Sequence, residues 1–262
     1  MIVMTAHNFL ATTETHLNLK QQEINNETSY AGKVVKANNL WKSKSKKHFD
    51  DIRTVLDKMC VGSRRCNYCE DSVADEVEHI KPKSLYPDDC FKSENYLYAC
   101  GPCNGPKNNK YAIFDQQRNV IDVSRKKGDA VIPPQNGNSV FINPKTEDPL
   151  DFIILDLNTF IFIPLPGKGK IEIARAKYTI ETLELNSRDY LVNARKHAFH
   201  SYKDSLETYI NKKLNGEASD QLLIRKNEIN GRHHPTVWSE MKRQSSFHPE
   251  LKKLFDAAPE LI

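Results

Sequence analysis

The chain has no apolar run near the ~18 residues of a membrane span, so no membrane-crossing helix is expected. Its first twenty residues hold no charged leader, no unbroken apolar core and no convincing cleavage site. No signal peptide is expected, and a cytoplasmic location follows as the working reading. There is no Gly-x-x-x-x-Gly-Lys-[Ser/Thr] loop, so any nucleotide energy has to come from another protein. Neither internal repeats nor low-complexity tracts are present. Nor is the charge one-sided: 38 Lys and Arg against 34 Asp and Glu leave a net +4, which permits a local nucleic-acid patch without demanding one. A hydrophobic fraction of 39% with 27% charged residues excludes wholesale disorder. At 262 residues the chain can bury one large core or two smaller ones.

Cysteine is present six times, which in a small secreted protein would suggest disulfides. Here the chain is long, has no secretion signal, and places four of the six in short pairs. Metal binding is the better reading.

Residues 1–58 read as helical and basic. The clearest piece is His48 to Met59, where Phe49, Ile52, Val55, Leu56 and Met59 recur at helical spacing. The preceding run from Lys33 to Lys47 contains Trp41 and no acidic residue; it is either a solvated loop or a patch that meets phosphates or an acidic partner. Residues 59–114 are dense in Cys, Asn, Gly and Pro and carry the chemistry. Residues 115–172 read as a linker with short strands at 140–142, 152–157 and 159–163, although Pro149 to Phe152 can open a helical turn. Residues 173–262 turn helical again, with Asn186 or Ser187 expected to cap a long helix that Asn215-Gly216 closes. A second helix is expected over 218–229, then two short ones at 236–241 and 250–255. The fold class expected is α+β, mainly helical, with a small zinc-braced module between helical flanks.

Cys66-Asn67-Tyr68-Cys69 and Cys100-Gly101-Pro102-Cys103 are two Cys-x-x-Cys knuckles. Two residues between ligands let both thiolates face one tetrahedral ion, and two such pairs make a closed structural Zn²⁺ site. Cys60 and Cys90 lie outside the knuckles and read as ordinary thiols. The gap between knuckles exceeds that of a simple zinc ribbon, so something is inserted. The insert holds Glu78-His79-Ile80-Lys81-Pro82-Lys83, read as a strand and its exit, then Glu94-Asn95-Tyr96-Leu97. The second knuckle runs on into Asn104, where a short helix through Lys110 is expected to open. Glu78 and Asn104 offer hard oxygen ligands suited to Mg²⁺ or Mn²⁺, and an imidazole such as His79 titrates near neutral pH. Lys81, Lys83, Lys107 and Lys110 are candidate phosphate grips, each with plain surface charge as the alternative. His197, His200, His233, His234 and His248 have no matching carboxylate or Cys arrangement and read as structural.

In this order the elements resemble the HNH nuclease motif, with Asn in the last position as in HNN variants. The match spans residues 66–110, about a sixth of the chain. The resemblance implies a ββα-metal finger with His79 as general base, Glu78 and Asn104 on the catalytic metal, and Asn95 tying the loop together. It implies hydrolysis of DNA to 5′-phosphate and 3′-hydroxyl ends. Scattered flanking signatures, among them Phe141-Ile142-Asn143-Pro144 and Leu183-Glu184-Leu185-Asn186, resemble the PtuB-type nucleases of Septu-like and retron-associated antiphage systems. That similarity implies an SMC/ABC-like ATPase partner (PtuA-type), docked on the helical C-terminal region or on the Lys33–Lys47 segment. RNA or tRNA as substrate, and a zinc-knuckle adaptor that does not cut, are the competing readings.

Overall fold

The computed structural model describes residues 1–5 and 7–262. The N-terminal stretch forms α1 (Ala11–Asn25), α2 (Tyr30–Lys42) and α3 (Lys46–Lys58). In α3 the stripe predicted from spacing is the buried one: Phe49, Ile52, Val55 and Leu56 face inward. Each such side chain contributes about 1.5–3 kcal/mol through removal from water. The Lys33–Lys47 segment is not a loop. Most of it is α2, opened by Ser29, whose hydroxyl accepts the Gly32 N–H at 3.0 Å. Val34 and Ala37 anchor that helix, while Lys33 pairs with Asp88 at 2.7 Å and Lys36 with Glu23 at 3.6 Å.

After α3 comes an irregular segment holding the first knuckle. Then follow β1 (Glu76–His79), a long loop, β2 (Tyr96–Ala99) and α4 (Gly101–Lys107). β1 and β2 are antiparallel, with Glu78 opposite Leu97 and His79 opposite Tyr96. The short helix begins three residues earlier than the sequence suggests, because Cys100 is its N-cap and Pro102 sits in its first turn, where a missing N–H costs nothing. Cys103 and Asn104 therefore lie inside α4, Lys107 in its last turn and Lys110 beyond it. The turn that ends it needs Asn108 at φ 36°.

The next stretch makes β3 (Ala112–Phe114), β4 (Val120–Asp122) and β5 (Asn138–Ser139), with β3 central, then β6 (Ile153–Leu155) paired with β7 (Phe162–Pro164). Residues 140–142, expected as a strand, are buried but leave the ladder. Val140 still donates to Ala112 O, whereas Ile142 donates to Thr179 Oγ1 as the chain turns away. The expected helical turn at 149–151 is present.

Then follow α5 (Lys170–Thr182), α6 (Asp189–Leu214), α7 (Ser219–Asn230), α8 (Pro235–Arg243) and α9 (Pro249–Ala257). Arg188, rather than Asn186 or Ser187, is the N-cap of α6. Asn186 is committed elsewhere: its amide accepts from Phe162 N at 2.8 Å and donates to Phe162 O at 2.7 Å, acting as a strand partner to β7. One hydrophobic core runs through all four stretches, joining residues as far apart as Ile52, Tyr96, Leu155 and Trp238. The chain is thus mainly helical with small antiparallel sheets. Among the described residues no helix is long and apolar enough to cross a membrane.

Candidate active site and metal centre

The four knuckle sulfurs converge. Cys66, Cys69, Cys100 and Cys103 are all buried, and their Sγ atoms lie within 4.8 Å of one another. The Cys69 and Cys100 sulfurs are 3.8 Å apart, matching the roughly 3.8 Å edge of a tetrahedron with Zn–S bonds of about 2.3 Å. Burial pushes the Cys66 thiol well above its ordinary range, whereas hydrogen bonds from neighbouring sulfurs lower Cys69 and Cys100; thiolate charge at such a buried cluster is what a bound cation would carry. The donor set therefore fits zinc. Local bonds hold the first knuckle in shape. Glu70, at φ 63°, donates its N–H to Cys66 O at 2.8 Å, and Asn67 donates both its backbone and side-chain N–H to Tyr98 O at 3.1 Å. From α6, Arg188 Nη2 reaches Cys103 Sγ at 3.2 Å and sets a positive charge against the sulfurs. Cys60 and Cys90 lie apart from the cluster, each pushed up to about 12 by burial, and neither is a ready thiolate.

Both knuckles flank the β1–β2 hairpin and α4. Their union fixes how the hairpin faces the helix, and between them a cleft of about 260 Å³ opens. Glu76, Glu78, His79, Lys83, Asn104 and Asn108 line it, with Trp41 reaching in from α2. The sequence-predicted Glu78, His79 and Asn104 are thus brought together.

His79 closes β1. Its Nε2 lies 2.9 Å from Cys90 O, an atom that also accepts the Tyr96 hydroxyl at 2.8 Å. A carbonyl oxygen only accepts, so Nε2 carries the proton and Nδ1 of the neutral ring holds the free lone pair. Nδ1 meets no protein partner among the described residues, and the ring lines the cleft. Burial, and then the positive charge of Lys83, hold the imidazolium form down to about 3, so the ring is neutral near pH 7.

Asn95 does not touch the cleft. Its Oδ1 accepts Lys81 N at 2.7 Å, and its Nδ2 donates to Lys81 O and Asp89 O at 3.0 Å. One buried amide therefore closes the loop that delivers Cys90 O to His79.

Glu78 is buried at 4% exposure, and its carboxylate is paired with Lys107. Burial outweighs that pairing and raises the Glu78 carboxyl above the ordinary carboxylate range. Lys107 itself is wholly enclosed and also donates to His79 O at 2.8 Å. The expectation that Lys107 grips a phosphate is corrected here: its ammonium is an internal strut between helix and strand. Lys110 is exposed and lies off the cleft, and Lys81 reaches Asp89 at 3.3 Å rather than the cleft. Of the four lysines only Lys83 lines the cleft, its ammonium 5.8 Å from the Trp41 ring.

Two residues at this site escaped the sequence reading. Glu76 accepts Asn104 Nδ2 at 2.6 Å through Oε2, which turns Asn104 Oδ1 free for another partner. The signal was available, since Glu76 and Glu78 are two apart on a strand and share its face. Trp41 was legible only as an aromatic in a basic run. Its indole lies 4.2 Å from the His79 ring and also meets Phe49, Phe91 and Tyr96.

The carboxylates and amides of the cleft are not a preformed cage: among the described residues the only tight cluster of three or more His, Cys, Asp or Glu ligand atoms is the cysteine quartet. No protein-family model matches the chain, and no curated protein matches it, so its functional reading stands on these residues and their geometry.

Proposed function

We propose that the chain is a metal-dependent HNH-type endonuclease that hydrolyses phosphodiester bonds of DNA. The observation that carries the reading is the setting of His79. Its proton is pinned on Nε2 by Cys90 O, and its free Nδ1 belongs to a ring in the same cleft as Glu78 and Asn104. The β1, β2 and α4 units, joined through the cysteine quartet, are the ββα finger of this proposal.

In this reading Nδ1 of His79 takes a proton from the attacking water, and the imidazolium is stabilised by Cys90 O. Asn95 holds that carbonyl in place through its loop bonds. Glu78 and Asn104 would hold a Mg²⁺ or Mn²⁺ ion. When bound, such an ion supplies charge stabilisation at the phosphoryl and leaving oxygens. Lys83, at the cleft, attracts the strand by its charge. Lys107 neutralises part of the Glu78 charge, so engagement of a divalent ion by Glu78 competes with this internal ion pair. That competition supports a restrained effector over a free-standing cutter. The fuller form of the proposal is the nuclease of an antiphage system governed by an SMC/ABC-like ATPase, for which exposed Leu214, Leu223 and Ile224 on α6 and α7 are docking candidates.

The test is incubation of the zinc-loaded protein, alone and with any co-encoded ATPase, with plasmid, single-stranded DNA and tRNA, in Mg²⁺ or in EDTA. Metal-dependent cutting abolished by His79→Ala, with zinc content unchanged, is the expected result. Equal behaviour of wild type and His79→Ala on every substrate would leave the adaptor reading standing instead.

A further inference from the structure

A second cleft, of about 710 Å³, opens between the first knuckle loop, α6 and the turn from α7 into α8. Its positive groups come from separate parts of the chain, Arg65 just ahead of Cys66 and Arg232 from the turn, where His233 also lines the cleft. Neither guanidinium meets a carboxylate among the described residues. Arg65 lies against His233, with Nε 3.4 Å from Nδ1, and Arg232 Nη1 donates to Ser201 O at 3.1 Å and to Ser201 Oγ at 2.6 Å. The single carboxylate lining the cleft, Asp71, is turned to His234 Nε2 at 3.3 Å.

The backbone is arranged around this grouping. Gly62 sits at φ +53°, and a Cβ there would stand 2.7 Å from His233 Nδ1, so only glycine leaves room for the imidazole. His234 takes the left-handed region at φ 57°, a conformation that costs roughly 1–2 kcal/mol for a residue with a side chain. Tyr202 fixes the turn by donating to His233 O at 3.0 Å. Strained backbone thus holds an imidazole beside a guanidinium, a pairing that neutralises nothing. Burial, followed by the Arg65 charge, lowers the His233 pKa below its ordinary range. What remains is two guanidinium groups without a carboxylate partner in one cleft: Arg65 turns Nε and Nη2 to the His233 ring and Arg232 turns Nη1 to Ser201, which leaves Arg65 Nη1 and the Nε–Nη2 fork of Arg232 without a hydrogen-bond partner among the described residues. Guanidinium forks match the oxygens of a phosphate with two parallel hydrogen bonds, and the volume falls in the ~300–1,000 Å³ range of small-ligand sites.

We propose that this cleft binds a phosphate group, carried by a nucleic-acid strand or by a free nucleotide. The site is separate from the nuclease cleft, and the inference does not rest on the nuclease reading.

The experiment uses the zinc-loaded full chain without added divalent ion, so that no cutting confuses binding. Inorganic phosphate, ATP and a labelled single-stranded oligonucleotide are titrated against wild type and Arg65→Gln/Arg232→Gln, with zinc content and far-ultraviolet dichroism as fold controls. The expected result is at least tenfold weaker binding by the variant. If the source is a strand, the logarithmic salt slope also falls by about 0.7 for each phosphate that the variant no longer neutralises, while ATP binding is weak in both proteins. If the source is a nucleotide, ATP and phosphate affinity fall and the oligonucleotide slope holds. Because Arg65 adjoins a zinc ligand, Arg232→Gln alone is the second variant, and a several-fold loss is expected from it. Wild type that binds none of the three probes at millimolar concentration, or folded variants that bind them all as wild type does, would overturn the proposal.

Discussion

Trp41 lays its indole against the imidazole of His79, with ring centroids 4.2 Å apart and planes inclined at 61°. The contact joins α2, outside the unit that carries the cysteine quartet, to the one histidine that lines the cleft. It does two things at once. It keeps water from one side of the ring, and it completes an aromatic cluster with Phe49, Phe91 and Tyr96 that ties the N-terminal helices to β2.

Trp41→Ala should therefore both loosen the fold and release His79. Removing a large buried aromatic costs about 3–5 kcal/mol, and the lower end applies because Trp41 is only partly buried. The His79 pKa should move up from about 3 towards its ordinary value, as burial is its main cause. Urea denaturation and histidine-resolved NMR titration read the two effects, and Trp41→Phe should retain most of both. An unmoved His79 titration in Trp41→Ala would show that the shielding comes from elsewhere.

Acid should destabilise the protein partly through His79. Its folded pKa lies below the unfolded value of about 6.5, so between roughly pH 6.5 and pH 3 the unfolded chain binds the extra proton. Stability from this group is present above that window and falls by up to about 1.4 kcal/mol per pH unit as pH drops through it. Thiol protonation and zinc loss also occur in acid, but they are common to wild type and His79→Gln. The difference in unfolding free energy between the two, followed from pH 7.5 to pH 5, should therefore shrink or reverse on acidification.

The enclosed Lys107–Glu78 pair makes a third prediction. Lys107→Met strands a buried carboxylate and should cost about 3–5 kcal/mol, whereas Glu78→Gln/Lys107→Met should recover a large part of the loss. A double-mutant cycle from urea melts measures it. Additive single-site effects would mean that the pair does not act as a unit.

Zinc should be a folding ligand. Cys66→Ser or Cys103→Ser should lose the metal and with it the cooperative thermal transition. Arg188→Gln should keep the metal but release it faster to a chelator, because one charge-assisted bond to Cys103 Sγ is gone. Metal content and release rate, read with a colorimetric chelator, check both variants independently of any activity.

Much of this was legible in the residues. Apolar spacing placed α3, because a stripe at helical period has one way to be buried, and the Asn215-Gly216 stop marked where α6 ends. The two knuckles predicted the quartet, since Cys-x-x-Cys spacing is itself a statement of geometry. Short-range signals misled where a polar side chain had a choice of partner. Asn186 looks like a helix cap in sequence, yet β7 lies closer in space and takes both ends of its amide.

By itself, then, the sequence determined which atoms are available: four sulfurs, one imidazole between the two pairs, and carboxylate and amide oxygens beside them. Tertiary structure decided which of them face the cleft and in what state. It buried Lys107 against Glu78, set Glu76 on Asn104, fixed the His79 proton on the side of Cys90 O and brought Trp41 over the ring. Each of those outcomes depends on desolvation and on partners distant in the chain. Local spacing carries no information about either, because a charge, a tautomer or a face is settled only when the surrounding elements have packed.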